Sequence, residues 1–179
     1  MVRFHKWNVN SRAPVTRVVL AASTPPLHKA NAALATSWTE ADFDSLGWHD
    51  VHVHGFRILE GEHGTGQLWL DLDYILDWIC PATDSETYRF RIAPAILRFR
   101  NVDSLRFELD YATPTAAMEP FSLAGVERKS IEYGGGYRSF RWKLGINWPS
   151  GSISFDSPGF VQELTGPVLE TNSQCIERP

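Results

Sequence analysis

From Val51 the chain alternates apolar and polar residues with a period of 2, and it does so twice across one short Gly-rich loop. Val51, Val53, Gly55, Arg57 and Leu59 fall on one side, and His52, His54, Phe56 and Ile58 on the other. After Glu60–Gln67 the pattern resumes with Leu68, Leu70, Leu72, Tyr74, Leu76 and Trp78 against Trp69, Asp71, Asp73 and Ile75. Successive strand residues point to opposite faces, so such a run cannot sit as a helix with one buried face. It predicts a β-hairpin over Val51–Trp78. Matching the apolar sides pairs Leu59 with Leu68, places His54 opposite Asp73 and Phe56 opposite Asp71, and gathers His52, His54, Asp71 and Asp73 on one polar face.

Further alternating runs lie beyond the hairpin. Tyr88–Ile92, Ala95–Phe99 and Leu105–Tyr111 read as separate strands, with a turn at the polar stretch Asn101–Ser104. Ala112–Val126, with Pro114 and Pro120, reads as an irregular connection. Gly134-Gly135-Gly136 joins two more strands, the second placing Phe140, Trp142, Leu144 and Ile146 inward and Arg141 and Lys143 outward. Trp148–Gly151 turns again, Phe160–Leu164 is a last short strand, and the chain from Gly166 looks irregular. Ahead of the hairpin, Thr39-x-x-Asp42 is a capping box with Trp38 and Phe43 at staple spacing, predicting a short helix over Glu40–Leu46 that ends at Gly47. Short, cleanly alternating strands define a mainly β protein with an antiparallel sheet: a curved sheet, a half-barrel or a sandwich, with one short N-terminal helix. The aromatic content, with seven Trp, ten Phe and five Tyr, agrees, since large flat side chains favour pleated surfaces.

The 179 residues suit one domain. Residues 37–170 are expected to form it, with 171–179 as a tail. Residues 1–36 read as a loosely structured extension: they show no sustained period and are interrupted by Pro14, Pro25 and Pro26. Charge divides at the same place. Arg3, Lys6, Arg12, Arg17 and Lys29 precede the first acid, Glu40, so the rest of the chain holds all 21 carboxylates and is strongly negative. Such a body repels phosphates and argues against nucleic acid as a partner. No apolar run approaches the roughly 20 residues of a membrane helix. Cys80 and Cys175 form no zinc-type spacing. Two isolated thiols suit a reducing, cytoplasmic setting.

Few motifs carry chemistry. Asp50-x-His52-x-His54 has the spacing that opens amidohydrolase metal sites, but that fold is a barrel of about 250 residues. Only His63 lies further along, so the later ligands are missing. A smaller metal site remains: His52, His54, Asp71 and Asp73, joined by His49, Asp50 or His63. Zinc is the ion that mixed imidazole and carboxylate donors suit. The ordinary alternative is a wet sheet face with cross-strand His–Asp pairs. Arg89, Arg91, Arg98, Arg100 and Arg106 form a second feature, a basic stripe suited to a protein partner or to pairing with Glu108 and Asp110. No nucleophile elbow, Cys/His pair or phosphate loop is present, so no catalytic residue and no organic cofactor is expected.

Several strings also occur together in a fixed order: Leu46-Gly47-Trp48-His49-Asp50 with His52 and His54-Gly55; Leu70-Asp71-Leu72-Asp73-Tyr74-Ile75-Leu76-Asp77-Trp78; Ile92-Ala93-Pro94-Ala95 with Phe99-x-Asn101-Val102; and Gly159-Phe160-Val161-Gln162 before Pro167. In this order they resemble a family of uncharacterised bacterial β-rich proteins, a domain of unknown function, over about residues 38–170. More distantly, the Trp-His-Asp opening and its hairpin are similar to immunity proteins of bacterial toxin systems. The resemblance implies no catalytic residues. Together with the acidic body, it points to a non-enzymatic cytoplasmic binding or accessory protein. The alternative is a divalent-metal-binding domain, or a metal-dependent enzyme, using the His/Asp face.

Overall fold

The computed structural model describes residues 35–83, 87–112 and 118–178, so the expected extension lies, but for Ala35 and Thr36, outside the described residues. The strands are β1 (Ser37–Thr39), β2 (His52–Glu60), β3 (Gly66–Ile79), β4 (Arg89–Leu109), β5 (Phe121–Glu132), β6 (Arg138–Trp148), β7 (Gly151–Ser157), β8 (Gly159–Leu164) and β9 (Leu169–Thr171). Every pairing is antiparallel, and the strand order is β1-β8-β4-β3-β2-β5-β6-β7. Pairing of β4 with β7 returns the path to its own middle, so the sheet closes into a ring through β4, β3, β2, β5, β6 and β7. The seam between β2 and β5 is narrow: His52 and Val53 pair with Ser122 and Phe121, and just ahead of β2 the Asp50 amide and the Val51 carbonyl bond to Leu123.

The long strand β4 makes this closure. The sequence predicts strands broken by a turn at Asn101–Ser104, but the chain continues through as one strand of 21 residues. Asn101 and Ser104 take left-handed backbone angles, φ 49° and 54°, and the pairing shifts between Asp103 and Arg106. Asn tolerates that region better than most residues, so the polar stretch bends the strand instead of reversing it. The first half of β4 pairs with β3, and the second half with β7. A strand shared in this way carries one sheet face around onto the other.

Between the walls lies an aromatic core. Phe99 packs on Trp142, Phe155 and Phe160, and Trp142 on Phe43 and Phe140. Leu68, Leu70, Leu72, Leu97, Leu144 and Ile153 are fully buried around it, each contributing about 1.5–3 kcal/mol relative to an exposed side chain. The inward set expected on β6 is correct, with Trp142 and Leu144 buried and Arg141 and Lys143 exposed.

Other details correct the sequence reading. The capping box is present: the Thr39 amide donates to the Asp42 carboxylate at 2.9 Å. It opens a 3-10 turn over Glu40–Ser45, which ends at the extended Leu46, not at Gly47. Phe43 packs on Trp48, and Trp38 on Tyr74, so the two do not staple each other. Strand β5 takes up the second half of the stretch read as an irregular connection. The hairpin register differs too. Ile58, not Leu59, lies opposite Leu68, and a bulge between Val53 and Gly55 shifts the pairing. Beyond that bulge Phe56 and Ile58 face the Leu side, opposite Leu70 and Leu68. The chain after Gly166 is not wholly irregular: β9 pairs with Phe90–Ile92, and residues 174–178 lie across β3.

Candidate functional site

Trp69, Asp71, Asp73 and Ile75 alternate onto the outer face of β3, away from the Leu side. Asp73 is nevertheless fully buried, because the C-terminal segment covers it. One carboxylate oxygen accepts from the Ile176 amide at 2.8 Å and meets His54 Nε2 at 2.7 Å. The other accepts from Arg178 Nη2 at 2.6 Å. The same guanidinium donates to Asp71 at 2.6 Å and to the Leu72 carbonyl at 3.1 Å. Burial pushes the Asp73 carboxyl up, but the bonds from Arg178, His54 and Ile176 together hold it below its ordinary value. Asp73 is therefore a carboxylate with both oxygens engaged.

Cys175 Sγ lies 3.9 Å from His54 Nε2. The three residue types resemble a nucleophile, a base and an orienting acid, but the geometry excludes that use. A base accepts the thiol proton on one ring nitrogen while the carboxylate holds the other. Here the single nitrogen Nε2 faces both partners. Burial and the adjacent Asp73 charge push the Cys175 thiol up, so it stays protonated and a weak nucleophile.

Of the four expected metal ligands, His54, Asp71 and Asp73 come together and His52 does not. His52 Nδ1 is buried with no hydrogen-bond partner, although His52 sits opposite Asp73 in the register. His49 and Asp50 pair with each other at 3.1 Å, and Asn147 and Gln174 also donate to Asp50. His63 lies in the loop before β3. Ligand atoms of His54, Asp73 and Cys175 fall within 4.8 Å of one another, the spread a small cation can bridge. Arg178 already supplies positive charge to that carboxylate, so a cation there would compete with its guanidinium.

The sequence missed Cys175, Ile176 and Arg178. They approach from about a hundred residues away along an aperiodic segment, and nothing in the alternation of the hairpin points to them.

The arginine stripe is not one patch. Arg89 and Arg91 alternate onto the opposite face of β4 from Arg98 and Arg100. Arg89 pairs with Glu170, Arg98 with Glu163 at 3.1 Å, and Arg106 with Glu108 at 3.7 Å. Arg98 also lies 4.5 Å over the Trp69 ring. The unclaimed surface lies elsewhere. Beyond Val53, β5 leaves β2, so among the described residues Gly55–Glu60 pair only with β3. There Phe56, Ile58 and Leu59 are exposed, Ile58 at 59%, and Phe56 stacks on Phe107 at 4.8 Å.

No family model, curated protein or solved structure matches the chain. Among the described residues, no helix is long and apolar enough to cross a membrane.

Proposed function

We propose that the chain is a non-enzymatic binding protein, an accessory or immunity-like factor that takes up a partner polypeptide along the free edge of β2. One observation carries this reading. The cluster where imidazole, carboxylate and thiol meet is occupied in fastening the C-terminal segment, whereas among the described residues β2 leaves a row of backbone donors and acceptors open beside exposed Phe56, Ile58 and Leu59. An open strand edge with apolar side chains suits an added strand from a partner. The partner is an extended segment with apolar residues at alternate positions. Cys80 and Cys175 are free thiols, which supports a reducing, cytoplasmic setting.

The test is affinity capture from the cells that make the protein, with wild type and Ile58→Lys side by side. Wild type is expected to hold a partner at near-equal amounts and Ile58→Lys to lose it with an unchanged Tm. A clean monomer that retains no partner overturns the reading. The metal-binding alternative rests on the His54, Asp73 and Cys175 spacing. Under the binding-protein reading, zinc and EDTA leave the Tm unchanged; a zinc-dependent rise, abolished in Cys175→Ser, favours the alternative.

A further inference from the structure

The loop before β3, the turn between β5 and β6, and the bend of β4 meet around a cleft of about 470 Å³. Tyr133 and Tyr137 stand on one side with their ring centroids 5.9 Å apart. The Tyr133 amide donates to the Tyr137 carbonyl at 2.9 Å, closing the Gly134–Gly136 turn that sets the two rings side by side. The Tyr133 hydroxyl donates to Asp156 at 3.1 Å, and Arg141 grips both oxygens of the same carboxylate at 2.8 and 2.9 Å. Tyr133 is thus anchored at its hydroxyl end. Arg141 is engaged by Asp156 through Nε and Nη2, and its charge also acts on Asp103.

Glu62 and Asp103 line the same cleft, are exposed, and make no ion pair among the described residues. Ser139 lies at its wall, 3% exposed, and its hydroxyl makes no hydrogen bond among the described residues. A hydroxyl on a buried residue that opens into the cleft and has no protein partner leaves an acceptor and a donor for a ligand. Two exposed carboxylates make the cleft unfavourable to an anion, and the tyrosine rings give it an apolar wall.

We propose that this cleft binds an organic cation, a guanidinium or primary alkylammonium group on an extended stem. The charged end lies between Glu62 and Asp103 and donates to Ser139, and the stem and the charge lie over the faces of Tyr133 and Tyr137. The site is apart from the β2 edge, so it stands or falls independently of the partner reading.

The same chemistry is carried by a small free amine and by an arginine side chain, and two probes separate these sources. Agmatine and the capped peptide acetyl-Gly-Arg-Gly-amide are titrated into the full-length protein while the ring resonances of Tyr133 and Tyr137 are followed by NMR. Saturable shifts are expected with at least one probe: with agmatine alone the ligand is a free amine, with the peptide it is a polypeptide side chain. The Glu62→Gln/Asp103→Asn double variant, which alters only exposed groups, is expected to weaken binding at least about tenfold. Ser139→Ala is expected to weaken it less. The same peptide with citrulline, the neutral counterpart of arginine, is expected not to bind. No saturable shift with either cation, or equal shifts with the citrulline peptide, overturns the proposal.

Discussion

Asp73 receives hydrogen bonds from two stretches of chain that have nothing in common in sequence, β2 through His54 and the C-terminal segment through Ile176 and Arg178. Removing one partner of a buried charge costs more than the pair contributes, because the remaining charge stays out of water. Arg178→Ala is therefore expected to lower stability by about 2–3 kcal/mol, read by urea unfolding. Asp71→Asn removes only the exposed arm of the same guanidinium and is expected to cost less than about 1 kcal/mol. Equal losses would mean that Asp73 does not carry the network. At this scale part of the site was legible: the alternation of β3 alone puts Asp71 and Asp73 on one face, and two His stand close by on β2. The covering residues were not, since no periodicity announces a segment that docks side-on.

The elements were legible in kind but not in their irregularities. Period 2 identified the strands and the β6 core face. It failed wherever a strand kept going through residues that usually end one. Asn101 and Ser104 carried the correct local signal, a left-handed backbone, but a turn and a bend share that signal. The hairpin register failed for the same reason. Gly55 inside an alternating run marks a bulge, and a one-residue shift there moved Phe56 and Ile58 to the Leu face. The bend can be tested directly. A β-branched side chain in the left-handed region costs about 1–2 kcal/mol, so Asn101→Val is expected to lose that much stability. Asn101→Gly, which adopts the region freely, is expected to lose almost none. The short β6–β7 turn offers a second test. A Cβ on Gly151 would fall on the carbonyl of Glu108, in the facing strand. Gly151→Ala is expected to lower stability by about 1–3 kcal/mol, through strain where β4 and β7 close the ring.

Closure makes the whole molecule depend on carboxylates that hold distant strands together, so its stability follows their ionisation. Asp73 ties the C-terminal segment to β3, and Asp156 on β7 ties β6 through Arg141. The Asp156 carboxyl is lowered chiefly by its bond from Arg141, and Asp73 is lowered by its donors against the opposing push of burial. A carboxyl whose value is lower when folded than when unfolded takes up protons more readily in the unfolded chain. The stability it contributes is complete above the ordinary value of 3.8 and is lost as the pH falls through the lowered folded value. Wild-type stability is therefore expected to be level above about pH 5 and to decline below about pH 4. Arg178→Ala sharpens the expectation. Without the guanidinium, Asp73 loses the strongest of the contacts that lower its carboxyl, which moves up relative to wild type, so the variant is least stable relative to wild type where Asp73 is charged. Once the carboxyl is protonated, Arg178 has less to bind and the two proteins converge. Urea unfolding of both from about pH 7 down to about pH 2.5 should show the gap at its widest at neutral pH and closing in acid. A gap that stays constant across that range would show that Arg178 stabilises the fold by packing its stem, not by holding a buried charge.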